Sequence, residues 1–570
     1  MLTHVDWGVV QEYYLENISQ AISLMDSLTY SDTGNQSNKE IFKQIRIAFK
    51  KAEPYSAYLK PEVGHRVNGP ALPVFRENSG RVLAPVGLQR LEEMIYLNDA
   101  TKDDFTETVR ITKGMMLVLK SEVEYYQISP KRFFISTKQQ LFRLVSLAMA
   151  GFDTPVSGLS ISETAVSLES LWYLYSNSIR PIILSKNEDL DNRFKQDIDD
   201  ATNYIDSNPD FSDFDQYTFI RNYLNPVTRE WANIITESGL WSGENSVALN
   251  LESPTFFEKD SWNTPYFLTY TDRIDSSRVL LGKKLFFDPK VSGQGNMSCA
   301  TCHLPDRAYA SNKQFDLDNA GKELDRNTPT LINSVYQKAF KWDGKAQNIE
   351  DQISLVFLND REFDTDVHRF SENLLSDTSY IEQFQDAFGK VPHSNREVIE
   401  VIGEYIATLN SFDSKFDKNI RGELETFTSS EKRGFNLYMG KALCGTCHFV
   451  PLTNGSVPPF FNETEKEVIG VPKTSDNKQL DDDLGFYTVY GKEIHRGMFK
   501  TPSIRNVTKS APYMHNGVYE TLEEVIDFYD LGGGAGLGFD IPYQTLPFDS
   551  LSLSKREKKD LIAFIETLTE

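Results

Sequence analysis

Cys299-Ala300-Thr301-Cys302-His303 and Cys444-Gly445-Thr446-Cys447-His448 contain all four cysteines of this 570-residue chain. In each pentapeptide the two thiols are spaced to form thioethers to the two vinyl groups of one haem. The adjacent histidine is placed to swing beneath the ring as an iron ligand. A zinc site would need two cysteine pairs converging on one metal, and a redox dithiol has no use for a histidine after each motif. Four cysteines are also too few to staple a chain that is long enough to build its own cores. Two covalently bound c-type haems are therefore the expected cofactors, held by Cys299, Cys302 and His303 and by Cys444, Cys447 and His448.

The remaining composition narrows the setting. Hydrophobic residues make up 40% of the chain and charged residues 25%, the balance of a folded globular protein rather than a disordered or fibrous one. No run approaches the length of uncharged apolar sequence that spans a bilayer, so no transmembrane segment is expected. A net charge of −23 argues against nucleic acid as a partner and allows electrostatic attraction of a basic protein. Residues 1–7 show neither the basic nor the apolar region of an export signal. Because haem is joined to such motifs in bacteria after export, a leader is expected to have been removed. The expected compartment is the periplasm or the outer cell surface.

Residues 1–240 lack cysteine and carry apolar residues near the helical period over 9–28, 39–59, 87–98, 103–126, 138–149 and 163–177. Gly239, Gly243, Pro254 and Pro265 then break the pattern, and 241–270 reads as a linker. Beyond it, 271–427 and 428–570 each hold one haem motif. Thr428-Ser429-Ser430-Glu431 and Ser554-Lys555-Arg556-Glu557 are capping boxes, in which a hydroxyl and a carboxylate each satisfy a free backbone N–H at a helix start. The expected fold is mostly α, a helical bundle followed by two tandem cytochrome c-like haem domains.

Within the bundle, Gly87-Leu88-Gln89-Arg90-Leu91-Glu92 resembles the Gly-x-His-x-x-Glu motif of the imelysin-like family. Gln89 stands where that motif has its histidine, which removes the best metal ligand. The resemblance thus implies a scaffold without the motif's metal chemistry. An ordinary helix that happens to carry Gly87 and Glu92 is the alternative.

In the second half, Leu281-Gly282-Lys283-Lys284-Leu285-Phe286-Phe287-Asp288-Pro289, Arg326-Asn327-Thr328-Pro329-Thr330-Leu331 and Trp342-Asp343-Gly344-Lys345 surround the first haem motif. Thr501-Pro502-Ser503-Ile504-Arg505-Asn506-Val507 and Ala511-Pro512-Tyr513-Met514-His515-Asn516-Gly517 follow the second. Together they resemble the bacterial di-haem cytochrome c peroxidases and their MauG-like relatives, in order from about residue 273 to the C-terminus.

Peroxide cleavage needs an iron with an open position and a group that moves a proton from the near oxygen to the far one. The resemblance supplies Glu362 as that acid–base group and Gln352 as its positioning or peroxide-binding partner. It makes the His303 haem the peroxidatic one. Many family members hold a histidine ligand in the loop after this motif, but here none occurs between His303 and His368, and Asn319 lies near its place. The first iron is therefore expected to be open without reductive activation.

The His448 haem is expected to be six-coordinate and to handle electrons. The family's distal ligand falls fourteen residues beyond His515, at Tyr529; Met514 is the second choice, while Met439 and Met498 are further methionines in reach. Tyrosine is the MauG-like residue, and a phenolate lowers the iron potential relative to a thioether. Trp342 matches the tryptophan between the haems, while Asn327, Ser510 and Pro512 match a calcium site built from one amide oxygen and two backbone carbonyls. Arg496 and Arg505 suit haem propionates, since guanidinium groups bind carboxylates bidentately.

The expected activity is reduction of hydrogen peroxide to water with electrons from a small cytochrome c, cupredoxin or quinol-linked protein. A MauG-like oxidase acting on a protein or organic substrate is the first alternative, and a non-catalytic electron carrier or haem sensor the second.

Overall fold

The computed structural model describes residues 5–30, 36–76, 81–243, 246–271, 273–547 and 549–570, the side chains of 74–76 excepted. Residues 1–4, part of the segment read for an export signal, lie outside them. The chain is mostly helical, with two short two-stranded antiparallel sheets among the described residues, Val74–Arg76 with Arg81–Leu83 and Lys466–Val468 with Met498–Lys500. No described helix is long and apolar enough to cross a membrane.

The N-terminal half packs the long helices Gly8–Met25, Gln36–Leu59, Lys102–Tyr125, Pro130–Arg143, Ser160–Ser176, Glu188–Ser207 and Asn225–Ser238. Their ends are set locally: Thr101, Ser129 and Asn187 accept hydrogen bonds from the N–H groups of Asp104, Arg132 and Leu190. The helix expected over 138–149 begins instead at Pro130, whose missing N–H costs nothing at the first position. Every residue from Phe133 to Arg143 is buried, the polar run Ser136 to Gln140 included, so there is no solvent-exposed face for an apolar period to mark.

The stretch 241–270 is irregular in backbone but is no loose spacer. Leu249, Leu251, Phe256, Phe257, Trp262 and Phe267 are buried. Glycine and proline interrupt helical hydrogen bonding yet leave neighbouring side chains free to pack. Phe142 of the bundle meets Phe256 edge-on at 4.8 Å and Phe461 at 5.2 Å, and Trp262 lies 5.7 Å from Tyr336. Bundle and haem half thereby share one continuous apolar core.

Two helix crossings in the second half are built alike. The helix Ser276–Phe287 packs on Asn395–Ala407, and Ser429–Met439 packs on Lys555–Glu566. Both crossings are made close by glycine: a Cβ on Gly282 would stand 1.8 Å from the Val401 carbonyl oxygen, and one on Gly434 would stand 2.0 Å from that of Asp560. Thr428 with Glu431 and Ser554 with Glu557 form the expected capping boxes. Asn333 and Asn506 occupy matching left-handed positions, φ 56° and 58°. Each donates its backbone N–H to the chain end beyond the crossing helix, to Leu409 at 2.8 Å and Leu568 at 3.1 Å.

The crossing makes a test. Alanine favours a helix over glycine by about 1 kcal/mol, yet Gly434→Ala is expected to destabilise by about 1–3 kcal/mol because backbone blocks the new methyl group. A thermal midpoint of the haem-loaded protein that stays level or rises would show that the helices separate freely.

Candidate active site

The helix Ser429–Met439 leads into the second motif, where the tight turn Cys444–Thr446 brings the His448 N–H to the Cys444 carbonyl at 2.8 Å. Tyr438 donates its hydroxyl to the His448 carbonyl at 2.5 Å. His448 is enclosed by protein and opens onto a cavity of about 280 Å³ that Cys444 and Cys447 also line. Burial lowers the imidazole to about 4 and keeps it neutral, the form that can donate a lone pair to iron. Its Nδ1 has no hydrogen-bond partner, while the carbonyls of Thr453 and Pro502 face the ring. Burial pushes the Cys444 thiol up to about 12, unlike the low-pKa thiolate of a redox dithiol.

Tyr529, on the helix Leu522–Asp530, and Met514, in left-handed backbone at φ 74°, both border this cavity. Burial raises the Tyr529 phenol, and the neighbouring Cys447 and Cys444 thiols add to the shift. Met439 lies beneath Gly445 and Met498 in the strand Met498–Lys500, and neither lines the cavity. Trp342 does, with its ring N–H donated to the Asn327 carbonyl at 2.8 Å and its ring 6.5 Å from that of His515. Asn327, Ser510 and Pro512 line the same cavity.

The first motif folds alike. The His303 N–H reaches the Cys299 carbonyl at 3.0 Å, and its Nδ1 pairs with the Tyr309 carbonyl at 2.8 Å. Burial lowers the His303 pKa and raises both motif thiols to about 12. Glu362 lies close enough for its charge to contribute to both thiol shifts. Its own pKa is raised by burial, against the opposing pull of Lys341, Asn359 and Arg361.

The loop that carries Glu362 is pinned. The Asn319 amide donates to the carbonyls of Asp360 at 2.7 Å and Glu362 at 3.0 Å. Arg361 reaches Asp318 at 3.1 Å and Asp325 at 2.8 Å. The residue standing near the place of a family histidine ligand thus holds the loop of the acid–base candidate. Gln352, on the helix Ile349–Leu358, keeps a buried side-chain oxygen without a partner. The Glu362 carboxylate takes its hydrogen bond from Asn359 at 2.5 Å rather than from Gln352.

Known proteins resemble this half. The profile described as di-haem cytochrome c peroxidase matches residues 276–425. Cytochrome-c peroxidase IdrP1 of Pseudomonas sp. (strain SCT) is 32% identical over 312 residues, covering 52% of this chain and 81% of that protein. The chain belongs to the di-haem cytochrome c peroxidase family. MauG, the methylamine utilization protein of Methylorubrum extorquens, is 33% identical over 292 residues, covering 51% of this chain and 78% of its own. The crystal structure of a MauG-like protein associated with microbial copper homeostasis is 29% identical with a TM-score of 0.46, covering 52% of this chain and 91% of that one.

A di-haem peroxidase of this family is an oxidoreductase carrying two c-type haems, and a neutral His448 imidazole beside Cys444 and Cys447 on a largely apolar cavity fits such a group. Two expected propionate partners do not. Arg505 is fully buried and spends its guanidinium on Asp417, at 2.8 Å through both terminal nitrogens, and on the Pro451 carbonyl at 2.9 Å. Arg496 is exposed, paired with Glu493 at 2.9 Å and laid over the Tyr487 ring, away from the cavity lining. Spacing could not separate a propionate from a protein carboxylate.

Lys500 is the cation this di-haem peroxidase does place at the cavity. It is buried, 3.3 Å from the Gln337 side-chain oxygen and 5.8 Å from the Trp342 ring, with no carboxylate in ion-pair range among the described residues. Burial lowers it to about 8. Its place beside Thr501-Pro502 was visible in sequence, but its burial was not.

Proposed function

We propose that this di-haem peroxidase reduces one hydrogen peroxide to two waters, taking two electrons from a small donor protein and two protons from solvent. The His303 motif holds the peroxide-facing haem and the His448 motif the electron-accepting one. The observation that carries this reading is Glu362, a partly buried carboxyl group on a doubly pinned loop, near enough for its charge to act on both thiols of the first motif.

When bound, haem supplies iron to hold peroxide and a store for oxidising equivalents. The chain supplies the proton handling. The Glu362 carboxylate takes the proton from the metal-facing peroxide oxygen and returns it to the outer one, a task that its raised pKa eases. Asn359 holds the carboxylate, and the unpartnered Gln352 oxygen is free to take a hydrogen bond from peroxide. Trp342, bordering the His448 cavity, is the relay residue between the two sites. Lys500 is the propionate partner there.

Net charge of −23 suits a basic cytochrome c or cupredoxin as donor. The repeated helix crossings support tandem haem domains, and the shared border of Asn327, Ser510 and Pro512 supports a calcium ion between them. Because haem is joined to such motifs in bacteria after export, the compartment we infer is the periplasm or the outer cell surface.

Tyr529 at the His448 cavity favours one other reading, a MauG-like oxidase that turns peroxide against a protein or organic substrate. Electron paramagnetic resonance of the ferric protein is expected to give one high-spin and one low-spin haem; two low-spin signals overturn an open first site. Fast peroxide turnover with a reduced cytochrome or cupredoxin supports the peroxidase. A long-lived oxidised enzyme, discharged only by an organic or protein substrate, supports the oxidase.

A further inference from the structure

Helices of the N-terminal bundle converge buried polar side chains on one turn, residues 150–158. From the helix Gln36–Leu59, Lys50 reaches the Asp153 carboxylate at 2.6 Å, and from Pro61–Asn68 the Asn68 amide donates to it at 2.5 Å. From Leu88–Tyr96, Gln89 donates to the Phe152 carbonyl, and Glu92 accepts from the Ser157 N–H at 2.6 Å and hydroxyl at 2.5 Å. Arg46 holds Asn68 from behind and is itself paired with Glu163. Arg46, Lys50, Glu92, Asp153 and Glu163 are all at most 3% exposed.

Buried charge of this kind is a costly way to gain stability, since desolvation offsets most of the attraction. What it does well is hold a backbone in one place, because every partner must stay satisfied. The far side of the turn shows what is being held. Ala150 Cβ lies 3.3 Å from where a Cβ on Gly445 would stand, inside the second haem motif, and Met439 Sδ closes the same space at 3.0 Å. Phe152 packs edge-on against Phe449, 5.8 Å away and next to His448. Leu147, Phe449 and Val457 complete a small apolar cluster around it.

We propose that this turn is a clamp on the attachment loop of the second haem, and that Gln89, Glu92 and Asp153 are positioning residues acting on it through Ala150 and Phe152. The proposal rests on the assignment of the electron-transfer haem to the His448 motif. It gives the N-terminal half a task within the enzyme: one fixed geometry for His448 and the two attachment carbons, and protein cover along one side of the loop. Gln89 and Glu92, the polar members of the imelysin-like stretch, work here as hydrogen-bonding arms rather than as metal ligands.

The test uses the full-length, haem-loaded protein and the variants Gln89→Ala, Glu92→Ala, Glu92→Gln and Ala150→Gly. Hydrogen exchange of amides 444–449 is expected to rise about tenfold in Gln89→Ala and Glu92→Ala. The electron equilibrium of the low-spin haem is expected to shift about tenfold, about 59 mV for one electron, with the other haem unmoved. Glu92→Gln, which keeps an oxygen for Ser157, restores both readouts. Ala150→Gly loosens the contact while leaving the polar anchors whole, so it carries the test even where an anchor variant fails to fold. Unchanged exchange at 444–449 overturns the clamp, and faster exchange with an unmoved potential overturns its action on the haem. Neither readout uses peroxide turnover, so failure of the peroxidase assignment is seen separately.

Discussion

Replacing Glu362 by glutamine is expected to slow peroxide turnover by about 10²–10⁴-fold, the usual contribution of a positioned acid–base group, while both haems stay attached. Glutamine keeps the shape and still offers an oxygen to Asn359, which now donates to the Glu362 carboxylate at 2.5 Å. Only the proton shuttle is lost. Stopped-flow mixing with peroxide reads the effect directly, and a rate within a fewfold of the parent would remove the observation on which the functional reading stands. The pH profile carries a second signature. Burial raises the Glu362 pKa above the ordinary carboxylate value, and the carboxylate is the form that accepts the peroxide proton. Activity of the parent should therefore fall as pH drops through that raised pKa, at higher pH than an exposed glutamate would give. The residual rate of the glutamine variant should lack this acid limb.

Asp417→Ala is expected to destabilise the protein by about 3–5 kcal/mol, the range for removing one partner of a buried ion pair. Asp417 and Arg505 are both fully buried and meet through two bonds of 2.8 Å. Arg505 also donates to the Pro451 carbonyl, three residues beyond His448, and Asp417 accepts from the Ser414 N–H at 3.0 Å and hydroxyl at 2.7 Å. The pair thus ties the helix Lys415–Ile420 and the segment after Thr501-Pro502 to the loop of the second motif. Without the carboxylate, a guanidinium that cannot lose its proton stays buried and uncompensated. Denaturant titration of the holo protein checks the loss. Asp417→Leu combined with Arg505→Met should recover much of it, because an apolar pair carries no desolvation penalty. A loss below about 1 kcal/mol for Asp417→Ala would mean that water reaches the site, against the surface value for such pairs.

Much of the haem half is legible along the chain because its chemistry is local. Thioether spacing, the following histidine and the Thr428 and Ser554 capping boxes each involve residues within five positions of one another. The same locality explains the misplaced start at 138: the helix from Pro130 is buried on all sides, so the periodic signal that marks an amphipathic helix is missing. It also explains why 241–270 reads as a linker. Glycine and proline announce irregular backbone, but whether Phe256 and Trp262 are buried depends on Phe142 and Tyr336, distant along the chain.

The sites divide in the same way. The two pentapeptides alone point to two haems and to the residues that would hold them, since covalent attachment needs only a short run of chain. Family resemblance places Glu362, Gln352 and Tyr529 in order along the chain, but not their surroundings. Folding decides that Glu362 is partly buried near the first motif, that Asn319 fastens its loop, and that Tyr529, Met514 and Lys500 line one cavity. It also turns Arg505 inward to Asp417, 88 residues away in sequence. The physical reason is that desolvation and charge pairing act through space. A guanidinium, an ammonium or a carboxyl group takes its role from what surrounds it, and those neighbours come from segments that only the tertiary structure brings together.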